Sequence, residues 1–299
     1  MQRAEAALTA ALEGALVQQA RHMRRAAKTG AWFTVVPSTV NGTELGAQEW
    51  RDALFLRYRL ELPDLPSHCD GCDTKFSISH ALDCKKGGLV TARHNEIRDG
   101  VADLAGKAFT PAHVRDDPLI YSGRAMSRTK PKPSGSKLTS PQETTTEAPE
   151  VTEQKGDLLS RYRWQQWRDS VQDRRVVNTD AMLYVRISAE KCLQEAERGK
   201  KKIYLEACLQ KRRQFSPFVA SLDGLLGVEA TATLKRISSC LATKWRQPYS
   251  KTCGYVKSRV AITLVRATHR CLRGSRVPAH RISVQQPQWE DGAGLNLFR

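Results

Sequence analysis

A mixed α/β fold is the class this sequence predicts. Segments whose apolar residues recur at helical spacing alternate with short extended apolar runs, the pattern of a layered α/β chain. Apolar residues make up 40% and aromatic residues 7% of the 299 positions, enough to fill a core in one large domain or two ordinary ones. One stretch rich in Pro, Ser and Thr divides the pattern.

The first 60 residues predict a helical segment. Ala4 to Lys28 is Ala-rich and places Leu8, Leu12, Leu16 and Val17 on one helical face. His22, Arg24, Arg25 and Lys28 crowd its last turns and Gly30 follows, which suits the negative end of the dipole and a left-handed cap. Trp32 to Pro37 reads as a short strand or extended stretch, and Ala47 to Arg59 as a second helix closed by Pro63 and Pro66. Residues 61–90 hold three clustered cysteines. Thr91 to Ala108 is expected as a long helix, with Thr91 as N-cap, Ile97, Val101, Leu104 and Ala108 on one face, and Pro111 beyond its end.

Residues 127–155 carry four prolines and ten Ser or Thr, with no aromatic residue and only Leu138 and Val151 among large aliphatics. Such a segment cannot bury a core and is expected as a disordered linker. Residues 91–126 and 156–299 then form one α/β domain interrupted by it. Within that domain the pattern predicts strands at Asp157 to Leu159, Val171 to Val177 and Pro217 to Ser221. It predicts helices from Ala189 to about Arg213, Val228 to Trp245 and Gly254 to Leu272.

The net charge of +17 is concentrated. From Arg198 to Arg299 there are 20 basic and 5 acidic residues, against 28 and 26 in the preceding part. A surplus of that kind favours polyanionic partners, DNA or RNA, over a small-molecule substrate. Lys200, Lys201, Lys202, Lys211, Arg212 and Arg213 bracket one predicted helix. Arg259, Arg266, Arg270, Arg273, Arg276 and Arg281 crowd the end, and spaced along helices such side chains can meet successive phosphates. Tyr204, Trp245, Tyr249 and Tyr255 lie among them, as core residues or as stacking platforms for bases. No apolar run approaches the roughly 20 residues that cross a bilayer, so no membrane partner is expected. Met1 to Gly30 carries Glu5 and Glu13 and lacks a compact apolar h-region, which points to a nuclear or cytoplasmic protein. Gly199-Lys200-Lys201-Lys202 could serve nuclear import.

Cys69, Cys72, His80 and Cys84 give the spacing C-x2-C-x7-H-x3-C. A C-x2-C turn aims two thiolates at one point, while His80 and Cys84, four apart, share a helix face. Four such ligands close a tetrahedral shell, so the expected ion is a structural Zn²⁺. His68 is a weaker substitute ligand. Cys192, Cys208, Cys240, Cys253 and Cys271 fall mostly in helical patterns and read as small buried side chains.

The run Leu62-Pro63-Asp64-Leu65-Pro66-Ser67-His68-Cys69, then His80, Cys84 and Arg93-His94-Asn95-Glu96, resembles the carboxy-terminal region of non-LTR retrotransposon reverse-transcriptase polyproteins. The likeness extends from about Trp32 to the closing Pro287-Gln288-Trp289-Glu290-Asp291-Gly292-Ala293-Gly294. In such proteins a CCHC zinc knuckle precedes a restriction-like endonuclease of the PD-(D/E)xK kind. The resemblance implies a knuckle at residues 61–90, a restriction-endonuclease-like domain after it, and no reverse-transcriptase activity, since no polymerase palm precedes residue 62. It also implies that Asp157 and Asp173 ligate Mg²⁺, that Glu96 completes the shell, and that Lys201 or Lys202, before Tyr204, supplies the lysine. Gly156 stands where the motif has Pro, and Arg175 where it has Lys. A chain with these departures is read as a DNA-nicking fragment or, alternatively, as a non-catalytic zinc-dependent nucleic-acid-binding module or a decayed retroelement product.

Overall fold

The structure is a computed structural model that describes residues 19–124, 151–165, 168–184 and 186–277. Helix α1 (residues 19–26) leads through turns to α2 (Ala47–Tyr58), α3 (Ile78–Asp83) and the long α4 (Leu89–Phe109). Three short strands follow, β1 (Val114–Asp116), β2 (Leu119–Arg124) and β3 (Val151–Lys155), then β4 (Leu158–Gln165) and β5 (Arg168–Val177). The chain closes with α5 (Ala189–Gln210), β6 (Gln214–Ser221), α6 (Val228–Trp245) and α7 (Tyr249–Arg273).

Strands β1, β4, β5 and β6 form one sheet in that order. The β1/β4 and β4/β5 pairs are antiparallel and β5/β6 is parallel. A parallel pair needs a crossover, and α5 supplies it. Strands β2 and β3 pair separately. Side chains alternate across the sheet, so Leu158, Phe218 and Ala220 join Ile97, Val101 and Leu104 of α4, Ile237 and Leu241 of α6, and Val260 and Leu264 of α7 in the main core. On the opposite face Leu159, Val171, Val177, Phe215 and Val219 pack against α5. The result is a three-layer α/β arrangement. Full burial of a side chain such as Leu104, Leu158 or Phe218 stabilises by about 1.5–3 kcal/mol.

Helices α4 and α7 pack closely because Gly100 faces Thr263: a Cβ at that glycine would lie 2.8 Å from the threonine hydroxyl. The N-terminal segment is tied to the same helix by charge. Asp52 of α2, 1% exposed, accepts from Arg273 Nη2 at 2.8 Å and Nε at 2.9 Å, and faces His269 Nδ1 at 2.9 Å. Arg259 Nη1 donates to the Gly42 carbonyl at 2.5 Å, and Arg25 binds both Asp180 and Asp223.

Five expectations need correction. Thr91, expected as an N-cap, lies inside α4, whose N-cap is Gly88, and Gly30 does not take the left-handed conformation expected of a cap. The run from Trp32 to Pro37, expected as a short strand or extended stretch, opens as turn and bend, and the Trp32 ring meets Trp50 in a T-shaped contact at 5.2 Å. Val151–Lys155, expected at the end of the linker, pairs with β2 as a strand, its backbone groups satisfied by Leu119–Arg124. The helix expected from Gly254 begins at Tyr249, directly after Pro248, whose fixed φ suits a helix start. Leu8, Leu12, Leu16, Val17, Leu138, Arg281 and the closing tryptophan run lie outside the described residues. No described helix is long and apolar enough to cross a membrane.

Candidate functional site

The Cys/His segment folds as a tight hairpin. The Cys69 amide donates to Thr74 O at 2.9 Å, the Asp73 amide to Cys69 O at 2.8 Å and the Phe76 amide to Ser67 O at 2.9 Å. Ser77 then caps α3 through the His80 amide at 3.1 Å. That helix carries His80, and Cys84 follows as its C-cap residue. Cys69 Sγ lies 3.9 Å from Cys84 Sγ, Cys72 Sγ 3.8 Å from Cys84 Sγ, and Cys72 Sγ 3.3 Å from His80 Nε2. All four ligand atoms fall within 4.8 Å of one another.

A tetrahedral ion with Zn–S of about 2.3 Å and Zn–N of about 2.0–2.1 Å requires S···S near ~3.8 Å and S···N near ~3.5 Å. The group therefore fits a metal ion such as zinc. A disulfide needs about 2.05 Å, and every cysteine here is free. Hydrogen bonding from the Thr74 hydroxyl, and then from its amide, holds the Cys72 thiol down to about 6, while burial pushes that of Cys84 up. His68 is exposed, faces Ser67 Oγ at 3.2 Å, and stands outside the group. The hairpin docks on the end of α7. Asp70 accepts from Ser275 Oγ at 2.8 Å and the Arg276 amide at 2.7 Å, and the buried Arg276 guanidinium reaches Ala81 O at 3.0 Å and Cys271 O at 2.8 Å.

The second cluster lies where β4 begins, beside the middle of β5. The Asp157 amide donates to Gln172 O at 2.9 Å, which holds Asp157 against β5. Its carboxylate takes the Arg174 amide through Oδ2 and faces His94 Nε2 of α4 at 3.0 Å through Oδ1. Asp173 shares the face of Val171 and Val177, and its Oδ2 meets Lys200 Nζ of α5. Lys200 in turn lies 5.6 Å from the centre of the Tyr204 ring, one helical turn on.

The electrostatics separate the two acids. Burial alone would raise Asp157, but His94 and then the Arg174 amide and charge outweigh it and hold its carboxyl below the usual range. Burial raises Asp173, Lys200 opposes without cancelling, and the Asp157 charge adds to the rise. The two carboxylates thus feel one another, and both also raise Tyr204 after its own burial. Arg174 points to the other side of the sheet, 6.0 Å from the Phe218 ring centre, with all three guanidinium nitrogens buried and without hydrogen-bond partners among the described residues. Burial lowers it to about 10, with Asp157 the largest opposing influence.

The structure therefore brings Asp157 and Asp173 together and redistributes the remaining expected residues. Glu96 turns away, because two residues along a helix is about 200° from His94. It faces Arg270 Nη1 at 3.4 Å beside Arg266, and burial raises its carboxyl. His94 stands where Glu96 was expected. Lys201 pairs with Glu229 at the start of α6, Lys202 is exposed, and Lys200, expected as a phosphate ligand, is the lysine that meets an acid. The signal for Lys200 was its spacing of four from Tyr204.

The expected nucleic-acid ligands divide likewise. Lys211 and Arg212 are exposed, and Arg213 Nη1 donates to Leu119 O at 2.9 Å. Arg259 and Arg273 are committed to internal acceptors, Arg266 reaches Glu44 O and Glu49, and Arg270 pairs with Glu96. No known protein family and no curated protein matches this chain.

Proposed function

We propose that this chain is a zinc-stapled nucleic-acid-binding protein of the non-LTR retrotransposon kind that nicks DNA with Mg²⁺ at Asp157 and Asp173. The observation that carries the reading is geometric: the Asp157 amide bonds Gln172 O and its carboxylate takes the Arg174 amide, which sets Asp157 beside the buried Asp173 in the middle of β5. The Cys69, Cys72, His80 and Cys84 shell would hold Zn²⁺ as a structural ion, since four protein ligands leave no open position.

Asp157 and Asp173 offer the hard oxygen ligands that Mg²⁺ prefers, and the bound ion supplies charge neutralisation at phosphate and activation of water. The chain's own contribution is positioning. His94 keeps Asp157 ionised and oriented, and Lys200 holds a positive charge beside Asp173 where phosphate oxygens would come to rest. The charge of Lys211 and Arg212, on the same helix-to-strand turn, adds a sequence-independent attraction for the backbone. A nuclear or cytoplasmic location agrees with this reading.

One observation favours a second reading, a binding module without catalysis: each carboxylate already faces a basic side chain of the chain, His94 or Lys200. Nicking of supercoiled plasmid in Mg²⁺ decides between them. The enzyme reading expects nicking by the wild type and none by the Asp157→Ala, Asp173→Ala double variant. Equal nicking by both, or nicking by neither, leaves the binding module.

A further inference from the structure

The α6–α7 hairpin has 11 Lys or Arg and no Asp or Glu between residues 230 and 277, yet its two ends use that charge differently. From Arg259 to Arg276 every arginine serves the chain itself. Arg259 reaches Gly42 O and Asp103, Arg266 reaches Glu44 O, Arg270 faces Glu96, Arg273 clamps Asp52 and Arg276 holds the Cys/His hairpin. At the other end residues 243–251 are all exposed. There Lys244 Nζ bonds only the Lys107 carbonyl and Lys251 Nζ only Gln247 Oε1, and among the described residues neither they nor Arg246 and Lys257 form an ion pair.

Two rings share that tip. Trp245 is 39% and Tyr249 46% exposed, unusual for large aromatics in a chain with a filled core. Tyr255, packed on the main core, meets the Trp245 ring edge-on at 5.5 Å and fixes its orientation. The turn is stiff: Arg246 adopts φ 54° as a left-handed cap, and Pro248 starts α7. The first turn of α7 has no side-chain cap, so its amide donors and the positive end of its dipole also face outward.

We propose that this tip is a binding surface for single-stranded nucleic acid, with Trp245 and Tyr249 stacking on bases and Lys244, Arg246, Lys251 and Lys257 meeting phosphates. A duplex hides the faces of its bases, so exposed rings within a field of unpaired cations select an unpaired strand. Antiparallel packing of α4 on α7 sets the tip beside Lys107, 13 residues along α4 from His94, which is about 20 Å at 1.5 Å per residue. A strand held at the tip would thus reach the Asp157 and Asp173 cluster after a few nucleotides. The proposal rests on the nucleic-acid part of the reading above and not on cleavage.

The test is fluorescence anisotropy of the intact chain with a labelled oligothymidine about 15 nucleotides long, within the site sizes of single-strand binders, and with a duplex of equal length. The Trp245→Ala, Tyr249→Ala variant is expected to bind the single strand at least about tenfold more weakly, with the duplex affected far less, while the Trp245→Phe, Tyr249→Phe variant retains binding. Because Trp245 touches Tyr255, a second variant, Arg246→Glu with Lys251→Glu, changes only exposed charges. It should weaken single-strand binding as strongly and flatten its salt dependence. Wild-type affinity in both variants overturns the tip and leaves nucleic-acid binding standing. A wild-type chain that binds neither probe overturns the nucleic-acid reading as well.

Discussion

In the Cys69, Cys72, His80 and Cys84 hairpin the ligand atoms face one another with no cation of the chain between them. Asp157 and Asp173, by contrast, each face a basic side chain, His94 or Lys200. The difference follows from where each group comes from. The hairpin's ligands lie within sixteen consecutive positions, and its short backbone bonds bring them together. The acids are about as close in sequence, 16 apart, but they meet across the β4/β5 pair, and the basic groups that face them, His94 and Lys200, arrive from helices on opposite faces of the sheet. A soft-ligand site can thus be local and self-contained, whereas a carboxylate pair taken out of water needs tertiary support and nearby basic groups to ionise.

Removal of the metal should break the comparison on the hairpin side with the largest effect. Structural Zn²⁺ contributes about 10 kcal/mol or more to the folding of segments this small. On treatment with a strong chelator, or in a Cys84→Ser variant, amides of residues 67–84 should lose hydrogen-exchange protection while those of β5 and β6 keep theirs. The end of α7 should loosen too, because Asp70 and Arg276 join it to the hairpin. Protection unchanged by chelation would show that the hairpin folds without metal.

Smaller effects are expected at the acids, and of opposite sign. Asp157→Asn loses the charged bonds to His94 and the Arg174 amide and should destabilise by about 1–3 kcal/mol in urea melts. The folded carboxyl of Asp157 is lowered, so its contribution is present above the ordinary carboxylate pKa and is lost as pH falls through the folded value. Asp173 is raised, so ionising it opposes folding, and protonation on acidification relieves that cost. Asp173→Asn should accordingly leave stability unchanged or raise it by up to about 1 kcal/mol, as expected of a group kept for function. Equal losses in both variants would make Asp173 a structural acid.

Much of this was readable in advance. The helix expected from Val228 to Trp245 forms with those bounds, and the one expected from Thr91 to Ala108 gains two residues in front and one behind, because amphipathic spacing over many turns is a strong signal. Cys69, Cys72, His80 and Cys84 were readable for the same reason, since their spacing is itself the geometry. β1 has three residues and carries no period long enough to detect. β5 defeats pattern reading altogether: Gln172, Asp173 and Arg174 are buried in a central strand whose identity comes from its register with β4 and β6. Lys200 and Lys201 differ by one position, about 100° around α5, and only packing says which meets Asp173. The arginines of α7 were visible as charge, but their partners, Asp52, Glu96 and Asp103, lie more than a hundred residues away.

The most direct test of the central claim is a titration of the zinc-loaded chain with Mn²⁺ as a paramagnetic stand-in for Mg²⁺, followed by electron paramagnetic resonance. One Mn²⁺ per chain should bind the wild type and none the Asp157→Asn, Asp173→Asn variant, with zinc content equal in both. Equal Mn²⁺ uptake by the two proteins, or none by either, would contradict a shared cation at these acids.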